Sequence, residues 1–457
     1  MAFPLILSIV TALPASFENG WPLFDINERA LVRRIDYRIV PLMFFCYLMQ
    51  FLDKILINYA NVMGLAKDAQ LKGNELLGFN VILWGTTVAC TAACSSFRSL
   101  LAVRIILGVL EAVISPALVL ITSTWYQRKE ASPRYGIWYC GLGGGQIFGG
   151  LLSFAFQHVT STSFQGWRLM FVVVGAVNIV VGLLVVFFLP AKPQAATFLS
   201  NEGKSFVLDR LAVNQAGIEN SDAKPRQIFE AFKDAQILLL CLITILCSLS
   251  SGVITTFSAT LIKGFGYDGK QSALLNIPSG VISILSTIFA TIAIGRGYAR
   301  WASIVVLVVP VTIGGALMSF LNKKNEGGLL TGIYMINCTT VILVIVYSWV
   351  GSNVAGYSKK ITANGMVAAS FAIANIIGPQ TFQAHDAPQF PSQIYPSQIT
   401  ILVVAAFAGV AALALRMLLG VWNNKRDQSD DGQGLSANEL ISLDLTGSEN
   451  KHFRYTY

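Results

Sequence analysis

Eleven stretches of about twenty mostly apolar residues recur along this chain, and no other feature limits its fold as much. They fall at approximately 39–58, 77–95, 100–126, 137–156, 168–189, 237–262, 273–294, 301–321, 329–354, 365–381 and 399–422. A helix needs about 20 apolar residues to cross the hydrocarbon core of a bilayer. Within that core the chain itself must satisfy every backbone N–H and C=O, so stretches of this length read as helices. Of the 457 residues, 54% are hydrophobic and only 12% charged. A soluble protein carries about a quarter charged residues. Its single core also stops growing beyond roughly 250–300 residues. An ordinary soluble enzyme, a nucleic-acid binder and a disordered protein are therefore excluded. The expected fold is all-α and polytopic.

The chemistry of the remaining residues agrees. The net charge is +8, but the basic residues form short runs between apolar segments. That pattern suits an anionic membrane surface and not a nucleic-acid groove. Cys46, Cys90, Cys94, Cys140, Cys241, Cys247 and Cys338 all sit inside apolar runs and form no CxxC pair, so they read as small apolar thiols. His158, His385 and His452 are scattered. No metal site or cofactor is expected, and no nucleophile–base constellation suggests an enzyme.

The Lys and Arg positions set the expected organisation. Residues 1–38 form a cytosolic N-terminal segment bearing Arg29, Arg33, Arg34 and Arg38. Residues 39–189 form the first bundle of five spans, and 190–236 a central cytosolic loop with an amphipathic helix around Phe198–Leu211. Residues 237–422 form a second bundle of six spans, and 423–457 a cytosolic polar tail. The run Ala2–Leu13 is too short to span and lacks the basic start of a signal peptide. Basic clusters at 127–136, in the central loop, at Arg296/Arg300, at Lys359/Lys360 and at Lys425/Arg426 are consistent if all are cytosolic. The N-terminal cluster is not, because three spans separate it from 127–136 and an odd number puts the two on opposite sides. The halves are also unequal, although transporters built from repeats have equal ones. One helix is missing from the first half, between its first two spans, around Asn74–Leu77.

A charged side chain at a helix centre costs roughly 2.5–3.5 kcal/mol even on the lenient insertion scale. The first span carries Asp53 and Lys54, and the third carries Arg104 and Glu111. Residues 104, 108 and 111 share one helical stripe, with Gly108 leaving room beside the backbone. One reading is an anion site with proton coupling. Arg104 and Lys54 supply fixed positive charge for a carboxylate, while Asp53 and Glu111 gain and lose a proton. The other is a neutralised ion-pair network that holds helices together. The second half has no equivalent central charges. The run Gly141-Leu-Gly143-Gly144-Gly145-Gln146 allows close helix packing and places an amide at mid-membrane depth. Gln146 and Asn375, which precedes Gly378-Pro379, are candidates either to line a cavity or to bond neighbouring helices.

Several passages together resemble the major facilitator superfamily and, within it, the fungal anion:cation symporters of the allantoate permease type. They are Ala30-Leu-Val-Arg-Arg-Ile-Asp36, Phe51-Leu-Asp53-Lys54 with Asn58-Tyr-Ala60, Leu77-Gly-Phe-Asn-Val-Ile-Leu-Trp-Gly85, Ser348-Trp-Val-Gly-Ser-Asn353-Val-Ala-Gly356, Asn375-Ile-Ile-Gly-Pro379-Gln-Thr-Phe382 and Asp386-Ala-Pro388. The resemblance runs from about residue 25 to 422. It implies two pseudo-symmetric helical bundles around a central cavity, here with eleven helices instead of twelve. Arg104-x-x-Leu-Gly108 resembles the fourth-helix motif whose Arg is associated with proton coupling. Asp53, Lys54, Glu111, Gln146 and Asn375 resemble polar positions of organic-anion symporters. Gln146 stands where the fifth-helix antiporter signature has proline, which favours uptake over efflux. Ser248-Leu-Ser-Ser-Gly252 departs from a more Asn/Pro-rich stretch and leaves the substrate open. After Lys72-Gly-Asn-Glu75 the family has its second helix, and about thirty residues are absent here.

The resemblance thus implies proton-coupled import of a small organic anion, such as a ureide or vitamin carboxylate. The expected carrier is a monomer in the plasma membrane with both termini cytosolic, and its partners are the anion, protons and lipid. The rivals are a nutrient receptor that binds without transport, using the acidic tail as its dock, and a non-functional shortened product. Sequencing transcripts across the codons for Glu75–Leu77 is expected to recover a form carrying the extra helix. Uniform absence of that form would make the short half a property of the gene.

Overall fold

The chain is described by a computed structural model covering residues 28–63, 75–126, 128–159, 165–190, 196, 198–212, 224–322, 325–380, 396–428, 446–447, 449 and 453–457. Among these residues the regular structure is entirely helical. The first half comprises α1 (Glu28–Met63), α2 (Glu75–Cys90), α3 (Phe97–Trp125), α4 (Arg128–Tyr139), α5 (Gly141–Phe156) and α6 (Gly166–Phe188). Between the halves lie α7 (Asn201–Ala212) and α8 (Pro225–Lys233). The second half comprises α9 (Ala235–Gly264), α10 (Gly269–Leu275), α11 (Ile277–Gly295), α12 (Arg300–Phe320), α13 (Glu326–Ile336), α14 (Ile342–Asn353), α15 (Tyr357–Gln380) and α16 (Pro396–Gln428). With α4–α5, α10–α11 and α13–α14 each counted as one crossing, each of the eleven expected stretches falls on helix. Seven helical stretches are long and apolar enough to cross a membrane. The other four crossings follow from their place in the packing.

Each half repeats one plan. In the first half α1 lies against α5 and α2 against α6; in the second α9 lies against α15 and α12 against α16. Glycine allows the close approaches. A Cβ at Gly141 would stand 2.6 Å from the backbone nitrogen of Leu48 on α1, and one at Gly378 would stand 2.8 Å from the carbonyl of Leu249 on α9. A Cβ at Gly85 would lie 2.8 Å from the carbonyl of Gly175, closing α2 onto α6. Small residues are what allow such contacts where no hydrophobic drive separates helix from lipid. Hydroxyls inside the spans bond back to their own helix, as Thr122 does to Leu118, Thr244 to Leu240 and Thr287 to Ser283. This leaves few polar groups to face hydrocarbon. Outward stripes such as Val173, Val177, Val180 and Phe187 on α6 are exposed and apolar, as a lipid-facing surface must be.

An ion pair also recurs. Arg134 on α4 grips Asp36 on α1 with two parallel hydrogen bonds of 2.9 and 2.8 Å, both side chains almost fully buried. At the matching end of the second half, Lys359 on α15 binds Asp234 at 2.6 Å and Glu230 at 2.8 Å. Asp234 lies directly before α9 and caps its first turn, accepting from the Gln236 amide at 2.9 Å.

These contacts resolve the parity conflict. Asp36 and Arg134 are at one end of the molecule although three crossings separate them. At the opposite end, Arg168 at the start of α6 donates to the carbonyls of Ala92 and Cys94 just after α2. Thus α2 runs antiparallel to α6 and parallel to α1. Two successive parallel crossings require another between them, and residues 64–74 are too few for a helical one. The missing helix therefore belongs between Met63 and Glu75, as the charge pattern indicated.

Three expectations need correction. The loop helix begins at Asn201, not near Phe198, and a second helix, α8, follows it unforeseen. The last helix continues to Gln428, beyond the expected end of the final span. The polar tail does not all stand clear of the helices, because residues 453–457 dock at the basic end of the second half. Asn353 accepts from the Thr456 amide (2.9 Å) and hydroxyl (2.7 Å) and donates to the Thr456 carbonyl (2.8 Å). Asn423 exchanges two bonds with the Tyr455 backbone, and burial raises the Tyr455 phenol above its ordinary pKa despite nearby Arg426. Extended peptide backbone can be buried only when its amides and carbonyls find such partners.

Truncating one member of a buried pair leaves the other charge uncompensated. Arg134→Ala is expected to cost about 3–5 kcal/mol, while the double change Asp36→Leu with Arg134→Met is expected to be close to neutral. Thermal unfolding of the detergent-solubilised protein checks both.

Candidate functional site

The polar side chains singled out in the sequence lie on α1, α3, α5 and α15. Asp53 and Lys54 belong to α1, but their side chains lie outside the described residues. Arg104 and Glu111 stand two turns apart on α3, with Gly108 between them; Gly108 is exposed, as are Ile105 and Val109 beside it. Neither side chain points freely outward. Both terminal nitrogens of Arg104 are buried, and its guanidinium lies 5.7 Å from the centre of the Phe171 ring on α6. Glu111 faces α1, where the buried Gln50 amide approaches its carboxylate at 3.5 Å.

Gln146 reaches in a different direction. It is 97% buried and bridges the two halves. Its amide nitrogen donates to Asn337 at 3.1 Å, and its oxygen accepts from the Ser283 hydroxyl at 3.3 Å. The bridge forms because α5 and α11 meet through glycine, a Cβ on Gly143 clashing with the Gly280 carbonyl. Asn337 opens the 3₁₀ segment Asn337–Val341 that interrupts the crossing between α13 and α14. Its own amide bonds Ile333 and its carbonyl accepts from Thr340. Side chains that bond nearby backbone compete with the α-helical ladder, which accounts for the break. Tyr139 adds a second bridge to this segment, its hydroxyl donating to the Thr340 carbonyl at 2.7 Å.

Asn375 faces α9 and bonds the Phe371 carbonyl of its own helix at 2.8 Å. A Cβ at Gly252 would come within 3.2 Å of the Asn375 Cα, so the departure Ser248-Leu-Ser-Ser-Gly252 has a packing role. Among the described residues the candidates therefore divide into an α3 stripe turned into the first half, an α5 amide joining the halves, and an α15 amide within the second. Gln50, Ser283, Asn337 and Tyr139 were not foreseen. Their signal is Asn337-Cys-Thr-Thr340, a polar cluster inside an apolar crossing.

The description of the Major Facilitator Superfamily matches residues 74–379. The chain belongs to that superfamily. The thiamine pathway transporter THI73 of Saccharomyces cerevisiae is 32% identical over 474 aligned positions that cover 96% of this chain and 88% of the relative. The allantoate permease of the same yeast is 29% identical, covering 94% of this chain and 87% of the permease. The proton:xylose symporter XylE from E. coli shares the fold, with a TM-score of 0.59 and 14% identity over 84% of this chain and 89% of XylE. These relatives are transporters and not enzymes. The THI73 alignment is longer than the roughly 439 residues of this chain that enter it, leaving about 35 positions of THI73 with no residue here.

Gln146→Leu keeps the bulk of the side chain but leaves the Asn337 oxygen and the Ser283 hydroxyl without their partner. The expected cost is about 1–3 kcal/mol, read as a lower melting temperature. Gly143→Val, which forces α5 from α11, is expected to destabilise more.

Proposed function

We propose that the complete form of this transporter imports a small organic anion, a carboxylate of the ureide or vitamin-acid kind, by proton symport. The reading is carried by one observation: a guanidinium and a carboxylate, Arg104 and Glu111, stand two turns apart on α3, the guanidinium nitrogens buried and the carboxylate facing α1. An arginine keeps its charge at any physiological pH and presents a planar fork to a carboxylate. A carboxyl in a membrane interior can exist neutral or ionised within the physiological range. Together they meet the two needs of anion symport, a fixed positive site and a titratable one. Asp53 and Lys54 are assigned to the same tasks from the sequence. Gln146 and Asn375 are assigned neutral hydrogen bonds to the substrate from the sequence, Gln146 exchanging its bonds to Asn337 and Ser283 for substrate as the two halves rock and expose the site alternately. We place the transporter in the plasma membrane as a monomer, its basic end cytosolic.

The parallel course of α1 and α2 favours a second reading for the chain as it stands. A half lacking one crossing does not complete the transport cycle, so activity belongs to the form with the helix restored.

The test is uptake of labelled acids into cells or vesicles by the restored form. Uptake is expected to rise as external pH falls. Arg104→Ala is expected to weaken apparent affinity by at least about tenfold, the loss of a charge-assisted bond. Glu111→Gln is expected to flatten the pH dependence. Accumulation unchanged by either substitution refutes the assignment.

A further inference from the structure

The short helix α8 has two faces with different chemistry. Gln227 and Ala231 are buried, and Glu230 turns with them to bind Lys359 on α15. The opposite face carries Arg226, Phe229, Phe232 and Lys233, all exposed. These positions, three and four apart, form one stripe. Phe229 and Phe232 are 69% and 55% exposed. Two phenyl rings side by side are an unusual surface to leave in water.

The position of α8 identifies what covers them. Asp234 alone separates α8 from the membrane-spanning α9. Leu238 and Leu242, 47% and 44% exposed, begin the outward stripe of α9, which can meet only lipid. Leu238 lies four residues into α9, about 6 Å along its axis. Phe232 is therefore held near the boundary between hydrocarbon and headgroups, where amphipathic helices lie in the plane of the membrane with aromatic side chains inserted. The charges complete the pattern. Arg226 and Lys233 flank the rings, whereas the carboxylates of Glu230 and Asp234 are turned away and engaged by Lys359. Arg226 has one carboxylate nearby, Glu449 at 3.5 Å, but its side chain remains 87% exposed. An exposed pair of this kind is weak and leaves the guanidinium open to another anion.

We propose that α8 is an interfacial anchor that inserts Phe229 and Phe232 into the headgroup layer at the basic end and binds anionic lipid through Arg226 and Lys233. Its inner face holds Lys359, so the anchor fixes the base of α15 relative to the lipid surface. The inference does not rest on the transport reading, and its failure leaves that reading intact.

The experiment uses full-length protein with the exposed Cys90 replaced by serine, spin-labelled at Phe229→Cys or Phe232→Cys. It is reconstituted in vesicles of phosphatidylcholine with or without phosphatidylserine. Both labels are expected to collide with oxygen in preference to a water-soluble nickel chelate, because insertion at the headgroup boundary shields them from water. Phosphatidylserine is expected to increase that preference, and Arg226→Gln with Lys233→Gln, or high salt, to remove the increase. Labels equally open to the nickel chelate in both lipids would overturn the proposal and direct the search to a protein partner. An increase that survives the double substitution would overturn the anionic-lipid part.

Discussion

A cation held against a carboxylate at the basic end of each half organises this molecule. Arg134 with Asp36, and Lys359 with Asp234 and Glu230, each tie the base of one crossing to the base of its parallel neighbour. Buried pairs of this kind add little net stability over a well-packed apolar contact, yet breaking one is costly. Their effect is therefore to set register. A helix sliding along its partner by one turn would strand a charge beside hydrocarbon. Above these fixed points glycine takes over, with Gly141 seating α5 on α1 and Gly378 seating α15 on α9. The same two devices in the same order give the two halves one plan.

How much of this was legible beforehand follows from how strongly each feature departs from its surroundings. Crossings are read from hydropathy because the bilayer demands about twenty apolar residues in a row, and each of the eleven expected stretches falls on helix. Arg104 and Glu111 were legible because a charge inside such a run is expensive. Gln146 was noticed within its glycines, but its partners were not. Ser283 and Asn337 lie 137 and 191 residues away, and neutral polar residues are common enough inside spans to pass unremarked. The ion pairs were hidden for a related reason. Asp36 and Arg134 each sit in an ordinary basic run beside an apolar stretch, and only the fold reveals that they share an end. The docking of Thr456 on Asn353 was illegible, since hydrogen-bonding residues near a helix end give no hint of a tail returning from far along the chain.

The helix count was legible in another way. No local pattern shows that a segment is absent; the conflict arose only from adding signs across several loops. The structure restates it as direction, with α1 and α2 parallel where every later pair of neighbouring crossings alternates. The two arguments are independent, one resting on charges in loops and the other on contacts between helices. They meet at residues 64–74.

What the absent crossing would do follows from its counterpart. In the second half α10–α11 lies between α9 and α12 in sequence, and its Gly280 presses on Gly143 to join the halves. A repeated plan places the equivalent first-half helix against α15. On α15, Gly365 is exposed, and a Cβ there would meet nothing within 4 Å. Ile361, Ile373 and Ile376 are exposed on the same helix. The glycine-mediated join between α5 and α11 thus lacks its mirror image among the described residues. Alternating access by rocking requires the halves to pivot about a balanced interface, whereas a join on one side lets them hinge apart. The α5–α11 seam, bonded through Gln146, and the contact of α1 with α9 then carry the association that a further seam would otherwise share.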